Sequence, residues 1–244
     1  MDLTPTQWIL GGCAAALVGF SKTGVPGLGI LIVPLMAAVF PAKASVGALL
    51  PMLVTGDIFA IVYYRRHAQW SKLWGLFPLM IVGIAVGTWT LLHVTDEGLK
   101  PLLGWIVMGI LVLDLARTRL GWTAVPHHWL FVSVIGFLAG FTTTVGNVAG
   151  SIMSIYLISR GLEKDQFLGT GAWYYGLVNA AKFPLFWGLG MISVDSLRFN
   201  GLMLPAIALG AVVGRLIAAR IPQRACTGTV LVLAALAALR MIFF

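Results

Sequence analysis

The sequence predicts an all-α polytopic membrane protein made of two inverted repeats, each a glycine-broken helical hairpin followed by three transmembrane helices. Three observations carry that expectation. Of 244 residues, 59% are hydrophobic and only 10% charged, with a mean hydropathy of +0.97; so little polar surface cannot coat a soluble globule of this length. Six apolar stretches, 45–64, 73–93, 99–117, 166–187, 199–217 and 223–243, are each near the ~20 residues a helix needs to cross ~30 Å of hydrocarbon. Two glycine-interrupted runs, 19–29 and 140–150, recur 121 positions apart, and paired interruptions in two halves point to a transporter's binding site. A barrel would instead show short alternating segments.

In chain order, the first repeat (1–121) opens with apolar pieces 7–20 and 25–40 around Gly19-Phe20-Ser21-Lys22-Thr23-Gly24-Val25-Pro26-Gly27-Leu28-Gly29, and then carries three spans. The second repeat (122–244) opens with 127–140 and 147–160 around Gly140-Phe141-Thr142-Thr143-Thr144-Val145-Gly146-Asn147-Val148-Ala149-Gly150, followed by its own three. These four pieces hold 14 to 16 residues, roughly 21 to 24 Å of helix. The natural reading is two hairpins that enter the membrane and turn back, their tips buried in protein or facing water; two short spanning helices per pair is the alternative. The N-terminus carries Asp2 in place of the basic start of a signal peptide, so 7–20 reads as mature protein and Leu10-Gly11-Gly12-Cys13 as a chance resemblance to a lipoprotein site. Cys13 and Cys226 have no metal-like spacing and read as small buried fillers.

With the 65–72 loop in the cytoplasm, Arg65, Arg66, Lys72, Arg117, Arg119, Arg160, Lys164, Arg215, Arg220 and Arg224 lie inside, and Lys43, Lys100 and Arg198 outside. This asymmetry is what the positive-inside rule asks for, and it places both termini on the outer face. A hairpin contributes zero or two crossings, so three further spans give each repeat an odd number and turn the second copy upside down. The net charge of +8 is therefore mostly topology. No basic soluble domain is present to bind nucleic acid.

Two cations remain inside apolar segments, Lys22 at the first tip and Lys182 within 166–187. A cation at a helix centre costs roughly 2.5–3.5 kcal/mol on insertion scales, so each should face a cavity or a partner. Snorkelling to the outer interface for Lys182, and a surface-reaching tip for Lys22, are the structural alternatives. Lys22, the hydroxyls of Ser21 and Thr23, the Gly24 amide and a half-helix starting near Pro26 compose an anion site, to which the second tip adds Thr142, Thr143, Thr144 and Asn147. Asp57, the most deeply placed acid, is open to two roles: a structural partner of a lysine, or a carrier of the coupling proton. Asn179, one turn before Lys182, is a candidate contact to solute or a helix-to-helix hydrogen bond. Asp114 reads as the partner of Arg117. His67, His93, His127 and His128 lie near loops, and Trp70, Trp74, Trp122 and Trp129 read as interfacial anchors.

These residues resemble the TauE/SafE family of sulfite and organosulfonate transporters, also called the toluenesulfonate uptake permease family. The likeness covers nearly the whole chain. It rests on Gly19-Phe20-Ser21-Lys22-Thr23-Gly24 through Pro26-Gly27-Leu28-Gly29 and Pro34-Leu35, then Leu50-Pro51, Gly56-Asp57 and Tyr64-Arg65-Arg66-His67 before Trp70. In the second half it rests on Gly140-Phe141-Thr142-Thr143, Asn147-Val148-Ala149-Gly150 and Tyr156-Leu157, followed by Gly169-Thr170, Trp173, Asn179, Lys182 and Pro184. The chain departs from the family pattern at Ser21-Lys22-Thr23 and Pro26, where many members have an unbroken glycine run, and at Ser151, where a proline often follows. The resemblance implies a bacterial inner-membrane protein with duplicated halves that moves sulfite, sulfoacetate or related small anions.

The expectation is thus a secondary transporter of small sulfur-containing anions, with substrate held by Lys22, Ser21, Thr23, Gly24, Thr143, Thr144, Asn147, Asn179 and Lys182. Its partners are the anion, the lipid bilayer and, as a separate hypothesis, protons through Asp57. No cofactor, metal or nucleotide motif is expected. A passive anion channel, a membrane scaffold and an intramembrane hydrolase using Ser151 or Ser154 are the rivals; the last lacks a base at the same depth.

Overall fold

In the computed structural model, residues 3–24, 28–119, 129–217 and 223–243 are described. They form ten α-helices and no strand: α1 Pro5–Thr23, α2 Ile32–Val39, α3 Ala42–Tyr64, α4 Phe77–His93, α5 Asp96–Arg119, α6 Trp129–Gly146, α7 Gly150–Ser159, α8 Lys164–Gly188, α9 Val194–Ile217 and α10 Gln223–Phe243. A single 3₁₀ turn, Leu28–Leu31, leads into α2. Ala42–His67, Asp96–Ala116, Trp129–Gly146 and Val194–Leu216 are long and apolar enough to cross a bilayer. Large apolar side chains including Ile9, Val62, Ile81, Trp105, Leu202 and Leu216 stand exposed, as a lipid-facing surface requires. The expected Pro26 half-helix start, Trp122, His127, His128 and Arg220 lie outside the described residues, as do the side chains of Arg117, Arg224 and Cys226.

Both glycine runs differ from expectation in the same way. The apolar pieces expected to end at 20 and 140 run on as helix, α1 to Thr23 and α6 to Gly146. Packing is the reason, since Gly19 and Gly140 run as helix directly under the Ile207 and Met80 carbonyls, and the hydroxyls that follow are absorbed within the helices. The Thr23 hydroxyl donates to the Gly19 carbonyl at 3.1 Å, Thr142 to Leu138 at 2.7 Å and Thr144 to Gly140 at 2.8 Å, the back-bonding by which hydroxyl side chains sit inside a helix. The breaks shrink to the segment after Thr23 and to 147–149. Each pair therefore has a long arm, about 28 Å for α1 and 27 Å for α6, and a short return, with α7 only about 15 Å long.

Helix starts follow from capping. Thr4 and Gln7 form a capping box ahead of Pro5 at the start of α1, and Glu163 with Gln166 does the same for α8. Prolines Pro51, Pro101, Pro184 and Pro205 lie inside helices, as membrane helices tolerate more readily than soluble ones.

Long arms pack across the two halves of the chain, α1 mainly on α9 and α4 mainly on α6, while α3 lies against α8 and α5 against α10. Glycines at four-residue spacing make the close contacts. A Cβ on Gly210 would lie 2.0 Å from the Ala16 carbonyl oxygen, and one on Gly214 would lie 2.7 Å from that of Phe20. On the other pair, a Cβ on Gly83 would lie 2.2 Å from the Phe137 carbonyl oxygen, and one on Gly140 would lie 2.2 Å from that of Met80. Such small-residue stripes let backbones approach where lipid supplies no hydrophobic drive.

Loops 65–72 and 160–163 share one end of the bundle, where the Tyr156 hydroxyl donates to the Lys72 carbonyl and the Gln69 amide to the Thr170 hydroxyl. At the other end the Lys43 amide donates to Asp96 at 2.6 Å and Gln7 to the Val39 carbonyl.

Candidate functional site

α3 and α8 face each other at the centre, and their polar residues meet there. Asp57 on α3 is buried; its carboxylate lies 2.6 Å from the Lys22 ammonium of α1 and accepts a 2.7 Å hydrogen bond from Asn179 of α8. Gly56 makes room for this, since a Cβ there would lie 3.1 Å from the Lys22 stem. The Lys22 ammonium also lies 4.2 Å from the centroid of the Tyr175 ring, a cation–π contact. The Tyr175 hydroxyl reaches the Gly150 carbonyl at 3.3 Å, at the start of α7. Lys22 keeps 11% of its side chain exposed.

That exposed fraction opens into a cavity. Its walls come from the first tip (Ser21, Lys22, Gly29, Ile30), from α3 (Leu49, Leu53) and from the second break (Thr143, Asn147, Val148, Ala149), and it continues between α7 and α8. Along that seam run Ser151, Ser154 and Leu157 on α7, and Phe167, Leu168, Gly171, Ala172, Tyr175 and Asn179 on α8. The spacing on each helix is that of a single face, directed toward the 160–163 turn.

The second break is held differently. Asn147 has φ 58°, the one positive φ outside glycine among the described residues, a left-handed conformation that asparagine tolerates better than most side chains. Its amide nitrogen donates to the Val46 carbonyl of α3 at 3.0 Å, and its oxygen accepts from Lys182 at 2.8 Å. Lys182 is wholly buried and also donates to the Thr143 carbonyl at 2.7 Å and hydroxyl at 3.0 Å. Three donors meet three acceptors, and the cation sits at the C-terminal end of α6, where the helix dipole favours it.

Of the expected site residues, Ser21, Lys22, Thr143, Asn147 and Asn179 line the cavity, with Asp57 directly behind Lys22. Lys182 stands behind the wall, bound to two of the lining residues. Thr23 instead joins helices, its one hydroxyl proton shared between the Gly19 carbonyl of its own helix and the closer Ala211 carbonyl of α9, at 2.6 Å. Gly24 packs on Gly214, and Thr144 lies against Gly87. Tyr175 was not anticipated: a tyrosine in an apolar helix carries no signal by itself, and only its spacing of one turn from Asn179 could have drawn attention to it. Ser151 and Ser154 both border the cavity, and the Ser154 hydroxyl donates to the Gly150 carbonyl.

A set of buried polar groups at two chain breaks, surrounded by apolar spans, suits passage of a small ion through a membrane. No curated protein and no solved structure matches this chain. The family model described as sulfite exporter TauE/SafE matches residues 10–241, nearly the whole length, and the protein belongs to that family of multi-pass membrane transporters.

Proposed function

We propose that the protein is a secondary transporter of small sulfur-containing anions, sulfite, sulfoacetate or related sulfonates, in the bacterial inner membrane. The observation that carries this reading is the Lys22 ammonium, held deep in the bundle at a chain break and yet partly open to a cavity. Asn147 and Asn179 supply amide donors, and Ser21 and Thr143 hydroxyl donors, at the same wall. Lys182 adds positive potential from behind it, an effect strengthened by the low local dielectric. Thr23, Gly24 and Thr144 serve the frame that holds the two tips.

In this reading residues 1–121 and 122–244 are inverted repeats. The two tips are tethered near opposite ends of α3: the Tyr64 hydroxyl donates to the Thr23 carbonyl at 2.9 Å, and Asn147 bonds Val46. Helix partners exchange in the same sense, α1 with α9 and α4 with α6. Both features support alternating access about a site between the halves, with the termini on the outer face.

Uptake of radiolabelled sulfite into proteoliposomes tests the site. Lys22→Ala leaves a buried carboxylate unpaired, so the Lys22→Ala/Asp57→Asn double variant is measured beside it. Both should lose uptake by more than about tenfold, the loss of one charge-assisted contact; unchanged uptake in both overturns the site. Saturation and counterflow distinguish a carrier from a channel. Proton coupling is a separate step of the proposal. Asp57→Asn should abolish the response to a pH gradient while sulfite binding stays measurable, and a retained response removes Asp57 from that role.

A further inference from the structure

We propose that Tyr175 is the inner gate and a specificity-determining contact of the anion site, an assignment that rests on the transport reading above. Its ring and its hydroxyl do different things. The ring lies 4.2 Å from the Lys22 ammonium, while the hydroxyl reaches 3.3 Å to the Gly150 carbonyl. One side chain on α8 thus touches the first tip and the start of the second return helix.

Its place along the cavity sets the role. The α8 face of the seam runs from Phe167 near the 160–163 turn to Asn179 at the inner end, and Tyr175 stands one turn before Asn179. An anion moving inward along the seam meets Tyr175 before it can reach Lys22. The bond to Gly150 is long for an O–H donor, and that carbonyl already accepts from the Ser154 hydroxyl at 2.8 Å. Tyr175 can therefore give up Gly150 at little cost and turn its hydroxyl to an oxyanion, a stronger charged acceptor. That movement slides the ring off Lys22 and uncovers the ammonium. The same step releases the two tips from one another, linking anion arrival to their separation.

The test is concentration-dependent sulfite uptake by the full-length protein in proteoliposomes, with Tyr175→Phe and Tyr175→Leu beside the unaltered chain. Tyr175→Phe keeps the ring over Lys22 and removes the donor. It should raise KM about tenfold or more, the effect of one lost hydrogen bond to a charged group, with melting temperature close to that of the unaltered chain. Tyr175→Leu removes the ring as well and should raise the leak of competing anions such as chloride severalfold. A Tyr175→Phe protein with unchanged KM overturns the proposal, as does one in which rate and melting temperature fall together, the mark of a purely structural tyrosine. If the unaltered chain itself neither binds nor moves sulfite, the transport reading fails instead; the two failures are distinguished by that control.

Discussion

At Lys182 a cation with no exposed surface is matched donor for acceptor by the Thr143 carbonyl, the Thr143 hydroxyl and Asn147. Truncating it removes the donor to the Asn147 side-chain oxygen and the Thr143 hydroxyl, while the Thr143 carbonyl keeps the Asn147 backbone N–H at 3.0 Å, and each buried acceptor left unpaired costs about 1–3 kcal/mol. Lys182→Ala is thus expected to lower the melting temperature in detergent more than Lys22→Ala/Asp57→Asn does. Asn147 offers a paired prediction. Asn147→Gly keeps the left-handed backbone and loses the bridge between Val46 and Lys182, whereas Asn147→Ala also incurs about 1–2 kcal/mol of backbone strain, so alanine should be the less stable of the two by thermal unfolding. Lys22, Asp57, Asn147 and Asn179 were legible in the sequence because polar groups in long apolar runs must have a reason to be there. The Thr23 and Thr144 hydroxyls were not, since whether a hydroxyl faces a solute or its own helix depends on where the helix ends.

Helix ends are set by packing between elements as much as by composition. Gly19 and Gly140 looked like breaks in the chain, yet each lets its helix continue under a neighbour's backbone: a Cβ on Gly19 would lie 2.0 Å from the Ile207 carbonyl oxygen. Backbone cannot yield as a side-chain tip can. Gly210→Ala, aimed 2.0 Å from the Ala16 oxygen, should therefore destabilise by more than about 3 kcal/mol, at the upper end of overpacking costs. Gly12 has open space around it, so Gly12→Ala should be neutral or stabilising by up to about 1 kcal/mol through helix propensity. Thermal melts of the two variants, run in one detergent, check the contrast. Three of the six expected spans, 45–64, 99–117 and 199–217, were readable from length and hydropathy and fall among the four helices able to cross a bilayer; the fourth, Trp129–Gly146, stands where a short hairpin arm was expected, because α6 runs on through Thr142, Thr143 and Thr144. The cross-pairing of α1 with α9 and α4 with α6 was not readable, although its trace stands in the matching spacings Gly83 to Gly87 and Gly210 to Gly214.

For the whole molecule, the cavity runs along α7 and α8 toward the end that holds loops 65–72 and 160–163, and Asn147 in its wall is held by Lys182 and Val46. In a chain with Cys13 and Cys226 replaced by serine, Ser154→Cys should react with a membrane-impermeant thiol reagent from the side bearing Arg65, Arg66 and Lys72. Reaction only from the opposite side would reverse the expected direction of entry. Saturating sulfite should slow that labelling several-fold by occupying the seam.

α3 has a property that its two tethers bring out. Thr23 is fastened at its last residue and Asn147 one turn from its first, and between them Pro51 removes a rung of the backbone ladder. A rod fastened to a bend at each extremity acts as a see-saw when it tilts about its middle: the tilt that draws one glycine-rich bend inward lifts the other outward. The two doorways of the protein would then be opposed by leverage within a single helix, without any messenger passing through the solute itself.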